Sequence, residues 1–287
     1  MKSILSMTIL LFLTVAFTGS DSFPETSTVR WGQNGHRIVG QIAQNHLTPA
    51  AARAVADLLG PGNATLAQAS TWADEIKSDP HWRIASPWHY ITIEDDTDYD
   101  HLPPVPAEPE QIHNVVDALQ YFSAVLRDAS ADKKARTEAL RFLAHFVGDV
   151  HQPLHVGRGD DRGGNDVRVD WFGASSNLHR VWDSEIIDHQ HLSFTEYTSF
   201  IDHVPPAQIE DWQDDSILTW VQESKELRAA VYDFRGGALD TTLGQNYRDL
   251  TVRLGYGYAF RKKPIIEERL VQAGIRLAGL LNDIFRP

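Results

Sequence analysis

Apolar residues recur at three- and four-residue spacing over long stretches of this 287-residue chain, and strict alternation is rare. Thr48 and Pro49 ahead of the apolar run 51–59 read as a capped helix with Pro in its first turn, ended by Gly60-Pro61-Gly62. Helical periodicity returns over 110–127, 132–146, 178–187, 206–232, 238–254 and 264–285. Two short alternating runs, 88–93 and 167–171, are the strand candidates. The Pro-rich acidic stretch 95–109 and the Gly/Asp-rich stretch 157–166 read as loops. No repeat or shift in composition marks a boundary, so one mostly α-helical domain is expected from Trp31 to Pro287.

The N-terminus follows a different pattern. Lys2 leads into a 14-residue apolar run, 4–17, and then the small residues Thr18, Gly19 and Ser20. That is the outline of a secretory signal peptide, too short to span a bilayer. Residues 1–20 are therefore expected to be removed, 21–30 to form a short leader open to trimming, and the product to be secreted or periplasmic. The sequon Asn63-Ala64-Thr65 is read as accidental. No other stretch is long enough to cross a membrane, and no membrane partner is expected.

Composition narrows the chemistry. Apolar residues make up 42% and charged residues 23%, ordinary globular usage that excludes a wholly disordered chain. A net charge of −13 excludes a dominant basic face of the kind that grips nucleic-acid phosphates. An acidic chain that processes phosphates needs bound cations to supply the missing charge. The 13 histidines, half the combined number of Lys and Arg, are suited to holding them. With no cysteine there are no disulfides, thiolate metal sites or cysteine nucleophile, so His, Asp and Glu are the available metal ligands.

The pattern His-x-x-x-Asp occurs at His113/Asp117, His145/Asp149 and His179/Asp183. Four-residue spacing puts both side chains on one helical face, where they can reach a single ion. The first pair sits in an ordinary amphipathic pattern and reads as a solvated helix face. The second is followed at once by His151 and His155 beside Pro153, a crowd of imidazoles costly to bury on an apolar helix without a metal. Asp74 in Trp72-Ala73-Asp74, His89 in Trp88-His89-Tyr90 and His36 after Gly35 are unremarkable on pattern alone. Each could be a hydrogen-bonded core residue. His46, His81, His101, His189, His191 and His203 fall in loops or at helix ends and read as surface residues.

Taken in order, Trp31-Gly32-x-x-Gly35-His36, Trp72-Ala73-Asp74, Trp88-His89-Tyr90, the run from His145 to His155, Gly163-Gly164-Asn165 and Asn177-Leu-His179-Arg-Val-Trp-Asp183 resemble one family. It is the zinc-dependent single-strand-specific nuclease family of fungi, plants and bacteria. The resemblance runs from Trp31 to the C-terminus. It implies an all-α, single-domain helical bundle of the zinc phospholipase C and single-strand nuclease type, with a short β-hairpin. It also implies three zinc ions. Asp74, His89, His145 and Asp149 would hold the first, His155, His179 and Asp183 the second, and Trp31, His36 and Asp149 the third. His151 would support the cluster without joining it.

By the same resemblance the chain is an endonuclease acting on single-stranded DNA and RNA. A water between the two ions sharing Asp149 attacks phosphorus and leaves 5′-phosphate products, and many members also remove 3′-phosphate from mononucleotides. The catalytic residues implied are Asp74, Asp149 and Lys77, the last standing where the family often has Arg and offering charge without a bidentate fork. Tyr90 is implied as the aromatic lining a base pocket, and Asn165 as a contact either to substrate or to the metal ligands. Thr92 leaves the base-pocket carboxylate of some fungal members without a counterpart. Nucleic acids and nucleotides are the expected partners, with no stable protein partner, and a monomer is expected. In the family the mature chain commonly begins at the Trp, whose α-amino nitrogen and carbonyl oxygen bind zinc; Arg30 precedes it here. Two other readings use the same ligands: a zinc phospholipase C or other phosphoesterase on this scaffold, and a non-enzymatic zinc-binding protein.

Overall fold

The computed structural model describes residues 32–61, 65–234 and 251–287. The expected signal peptide and leader, Trp31, the sequon residue Asn63 and most of the helix expected over 238–254 lie outside the described residues. The chain opens with α1 (Gln33–Asn45) and α2 (Pro49–Leu59), the latter capped by the Thr48 hydroxyl, which accepts from Ala51 N. Short helices α3 (Leu66–Ala69) and α4 (Trp72–Glu75) follow, then 3-10 turns Ile76–Ser78 and Pro80–His89 leading into β1 (Ile91–Thr92). The strand expected over 88–93 is thus confined to its second half. Two prolines, Pro80 and Pro87, hold the first half in a tight turn.

The centre of the molecule is the pair α5 (Val115–Arg127) and α6 (Lys133–His151). Asn114 and Asp132 cap them by accepting from backbone amides of their first turns. From Ala139 to His151, α6 is buried nearly all round, packed by α1, α5, α11 and α12. That explains why it runs beyond the 132–146 read from periodicity: a helix buried on every side has no polar stripe to follow. Its exit, β2 (Val156–Gly157), pairs in parallel with β1.

A hairpin of β3 (Arg168–Trp171) and β4 (Ala174–Asn177) turns at Phe172-Gly173. It runs straight into α7 (Leu178–Arg180), a π turn Val181–Glu185 and α8 (Ile186–Asp188). Then come α9 (Phe194–Ile201), α10 (Pro206–Gln213) and α11 (Ile217–Val231). The last two replace the single helix expected over 206–232. Asp214 closes α10 and the Ser216 hydroxyl caps α11, so the acidic Asp214-Asp215 step ends one helix before the next begins. β5 (Val252–Leu254) lies parallel to β3, with Val252 and Leu254 inward and Arg253 outward. It corrects the end of the helix read over 238–254. α12 (Tyr256–Ile284) begins two turns before the expected 264, and Pro264 is carried inside it.

Helix α1 is wedged between α3 and α12, and two glycines set its distance from each. A Cβ on Gly40 would lie 2.5 Å from the Leu66 carbonyl oxygen, and one on Gly274 2.5 Å from the Ile42 side chain. Because the first contact is with backbone, Gly40→Ala is expected to lower stability by about 2 kcal/mol or more through overpacking. Denaturant unfolding would check it, and an unchanged midpoint would show that α1 can shift freely.

Candidate metal centre

Side chains from several elements converge on one buried carboxylate. Asp149, in the last turn of α6, has no exposed surface. His36 of α1 brings Nε2 to 3.5 Å from its Oδ1, and His155, just beyond α6, brings Nδ1 to 3.2 Å from the same oxygen. His89, ending the 3-10 turn, places Nδ1 2.9 Å from Oδ2, and His145, one turn back on α6, places Nε2 3.2 Å from it. Beyond His155 stands Asp183, its Oδ1 3.3 Å from His155 Nε2 and its Oδ2 3.1 Å from His179 Nε2. Asp74 of α4 lies 3.6 Å from His145 Nε2 and forms an ion pair with Lys77.

Three groups of metal-competent donors result: His36, His145 and Asp149; Asp74, His89 and His145; and His155, His179 and Asp183. Within each group the donor atoms all lie within 4.8 Å of one another. The α6 pair follows the four-residue logic of a helical face. The second pair spans the π turn, where Ile186 N bonds Val181 O, a departure from α geometry that clusters at functional sites.

Backbone carbonyls orient the rings. Nδ1 of His145 lies 2.6 Å from Ser70 O, that of His155 2.9 Å from His89 O, and that of His179 2.7 Å from Gly163 O. Each Nδ1–H donates to a carbonyl, which turns Nε2 toward the neighbouring candidate ligands, the orientation a metal requires. Gln152 donates its amide to Asp183 Oδ1 and restrains that carboxylate. Gly148 is equally specific: a Cβ there would sit 2.9 Å from His36 Nδ1, so its absence lets the His36 ring stack on His145 at 3.7 Å.

The charges do not balance by hydrogen bonding alone. Asp149 Oδ1, His155 Nε2 and Asp183 Oδ2 are buried without a partner in hydrogen-bonding geometry among the described residues. Buried polar atoms turned toward each other in this way fit cations between them. In the metal-free protein, burial opposes charge on His36, His145, His155, Asp74, Asp149 and Asp183. It holds the His36 imidazole down to about 3, with His145 adding to the effect. Burial also works against His155, but Asp149 and Asp183 outweigh it and push that ring up to about 10. His145 is likewise raised, Asp149 and Asp74 overcoming its burial. Burial would lift the carboxyls of Asp149, Asp183 and Asp74, yet the imidazoles beside them hold all three below the usual range, Lys77 contributing at Asp74.

Beside His155 and His179 opens a cleft of 310 Å³ whose walls include Tyr90, Thr92, Arg158, Arg162 and Asn165. Tyr90 is 44% exposed to it, and Asn165 donates through Nδ2 to Arg162 O at 2.9 Å. A larger depression of 830 Å³ between α2, the α10–α11 turn and the end of α12 contains none of these residues. The structure therefore brings together every described site residue read from the sequence. His113/Asp117 stays apart, and its aspartate is a buried cap rather than a solvated residue, accepting from His113 N and Asn114 Nδ2. His151 turns away from the centre, its Nδ1 on Val147 O and its Nε2 3.0 Å from Arg276. Gln152, Ser70 O, Gly148 and Arg162 were not foreseen; only Gly148, lying between His145 and Asp149, carried a visible signal.

The family model described as S1/P1 Nuclease matches residues 31–286. Endonuclease 3 of Arabidopsis thaliana is 34% identical over 267 residues, 89% of each chain. Nuclease P1 of Penicillium citrinum is 32% identical, covering 88% of this chain and 97% of its own. Nuclease S1 of Aspergillus oryzae is 27% identical over 90% of this chain and 92% of its own.

Two outcomes follow from the geometry. Because His155 is pushed up to about 10, it carries a proton near neutral pH in the metal-free protein and must lose it to a metal. Calorimetric titration of chelator-stripped protein with zinc, in buffers of different ionisation heat, should show proton release on binding and an affinity that falls as pH is lowered. Zinc uptake without proton release would contradict these charge states. Gln152→Leu should weaken zinc binding roughly 10–100-fold in a chelator competition. Unaltered affinity would remove Gln152 from any role at the centre.

Proposed function

The chain belongs to the S1/P1 nuclease family and is a phosphodiester-hydrolysing enzyme, and on that premise we propose that it is an exported zinc endonuclease cutting single-stranded DNA and RNA to 5′-phosphate products. One observation carries the reading: four imidazoles meet a single buried carboxylate, Asp149, beside an open cleft. Asp74, His89, His145 and Asp149 would hold one zinc ion, and His155, His179 and Asp183 a second. His36 and Asp149 would hold a third, completed by the α-amino nitrogen and carbonyl oxygen of Trp31 if the leader is trimmed after Arg30. Bound zinc supplies Lewis acidity toward phosphoryl oxygens and lowers the pKa of water enough to make it a nucleophile near neutral pH.

The chain's own groups do the rest. Lys77, restrained by Asp74, sets a cation where a phosphate oxygen gains charge. Tyr90 offers a ring face to a splayed base, and Asn165 a polar contact beside it. Burial would lift the Asp149 carboxyl, but the imidazoles of His145 and His155 hold it well below the usual carboxylate range, which favours its ligand form. A recessed cleft admits a flexible strand whose bases turn outward and excludes a stiff duplex, which supports the single-strand preference. The same groups accommodate a mononucleotide, so removal of 3′-phosphate belongs to the proposal. So do a monomeric state and the absence of a protein partner.

The test is hydrolysis of single-stranded DNA, duplex DNA, RNA and phosphatidylcholine by the mature protein, with zinc content and intact mass read on the same sample. Faster cutting of single strands is expected, lost with chelator and restored by zinc, with three zinc ions on a chain that starts at Trp31. Lipid cleavage without nucleic-acid cleavage would transfer the substrate to a phospholipase. Asp149→Asn should reduce turnover by more than the roughly 10–100-fold typical of losing an outer partner of a ligand.

A further inference from the structure

We propose that Asp161 is a positioning residue for the metal centre: held by Tyr232 at the end of α11, it sets the loop whose Gly163 carbonyl orients the His179 ring, and so fixes one ligand of the second zinc ion. The proposal rests on the zinc reading above and gives a role to a carboxylate outside the donor set.

The burial of Asp161 calls for a reason. It belongs to the Gly/Asp-rich loop 157–166, yet it has no exposed surface. A carboxylate is buried only where donors replace its water. Two do so from separate parts of the chain. Gly164 N donates to Oδ1 at 2.9 Å, and the Tyr232 hydroxyl donates to Oδ2 at 2.5 Å. The Asp161 carbonyl also accepts from Asp166 N at 3.1 Å, closing the loop around its own side chain. Within that closure Arg162, Gly163 and Gly164 take positive φ in succession, 55°, 61° and 80°. This backbone is unfavourable for Arg162 and persists only where its surroundings hold it.

What the loop holds in turn is the ring of a candidate ligand. Gly163 O accepts from His179 Nδ1 at 2.7 Å, and Gly164 O accepts from His179 N at 3.3 Å. The ring then presents Nε2 to Asp183 Oδ2 at 3.1 Å. There is little slack on the side of Leu154. A Cβ on Gly163 would lie 2.5 Å from the Leu154 carbonyl oxygen, and one on Gly157 would lie 2.7 Å from Gly163 Cα. Packing therefore stops the loop from moving closer to Leu154, while the bond from Asp161 to Tyr232 ties it to α11 and stops it from drifting away.

Helix α11 is anchored at the start of the same loop. One turn before Tyr232, the buried Arg228 donates to Ile93 O and Val156 O, spanning the β1–β2 pair, and to Asp95. Asp95 pairs as well with Arg158, whose guanidinium lies over the Tyr232 ring, 4.5 Å from its centroid. Two side chains one helical turn apart thus grip the chain where the loop begins and again at its middle. The carbonyl placed by this grip serves an imidazole in the donor set, and such partners fix the orientation and tautomer of a metal-bound ring.

Asp161→Ala and Tyr232→Phe test this with two readouts independent of turnover. In a chelator competition, Asp161→Ala should hold one zinc ion roughly 10–100-fold more weakly than wild type, with the remaining ions held as before. In nitrogen NMR spectra of histidine-labelled, chelator-stripped protein, the His179 Nδ1–H signal protected by the Gly163 carbonyl should be lost in the same variant. Asp161→Asn should restore both, because its amide oxygen still accepts from Gly164 N and its amide NH2 can donate to the Tyr232 oxygen. Tyr232→Phe removes one hydroxyl and leaves the ring beneath Arg158. It should shift the His179 signal and weaken the same ion on the order of tenfold, the scale of a hydrogen bond to a charged group, and it decides the matter if Asp161→Ala does not fold. Wild-type zinc affinity with an unshifted His179 signal in Tyr232→Phe would overturn the proposal. So would equal weakening of every ion, the mark of a general loss of structure. A wild-type protein that took up no zinc would sink the metal reading instead, and the His179 signal would still decide whether Asp161 sets that ring.

Discussion

Everything in this fold answers to the burial of Asp149. A carboxylate with no exposed surface is tolerated only where positive charge surrounds it. Here imidazoles on separate elements enclose it, those of His145 and His155 shifted toward the charged form, so α1, α6, the 3-10 turn before β1 and the segment after α6 must all be docked before the carboxylate is enclosed. The core follows from that requirement. Gly40 and Gly274 bring α1 close to its neighbours, and Gly148 lets its histidine reach the centre. On its opposite side, α6 ends against buried charges of another kind. Arg269 donates to the His151 carbonyl, Arg276 faces its ring, and Glu223 pairs with both arginines. Burial and those two guanidinium groups keep His151 neutral, so it ties the helix end to α11 and α12 without adding charge beside the centre.

How far the sequence disclosed this depends on whether a feature is local. The two His-x-x-x-Asp pairs were legible because helical spacing alone puts their members together, and the amphipathic stretches of α2 and α5 were legible for the same reason. Asp74, His89 and His36 were not legible by spacing, since their meeting with α6 is tertiary; only the ordered resemblance to a family pointed to them. Helix α1 went unread although its pattern could have been read, since Gln33, Arg37, Gln41 and Asn45 recur at four-residue spacing opposite the buried Ile38, Val39 and Ile42. The π turn is invisible in a pattern that an ordinary α-helix would satisfy equally well. The break between α10 and α11 could have been read, since Asp-Asp-Ser followed by an apolar run is a capping signal.

The centre and the substrate surface are built from different materials. Candidate ligands sit on helices or immediately at their ends, where packing fixes each ring and a carbonyl on Ser70, His89 or Gly163 fixes its tautomer. The cleft wall facing them is loop, 157–166, with positive φ at Arg162, Gly163 and Gly164. Metal-centred chemistry needs donors held to a fraction of an ångström, whereas recognition of varied strands tolerates and uses a variable rim.

This division also resolves how an acidic protein handles a polyanion. A surface of net charge −13 repels a phosphate backbone almost everywhere. Attraction must then be concentrated in bound cations at the centre. A stiff duplex presents both strands and many phosphates at fixed spacing, so bringing one phosphodiester to a recessed centre also drives its neighbours against acidic surface. A single strand can bend, keeping its phosphates near the few positive regions and away from the rest. On that reasoning the negative charge of the molecule contributes to selectivity: the same distribution that weakens binding overall weakens it more for the substrate that cannot bend.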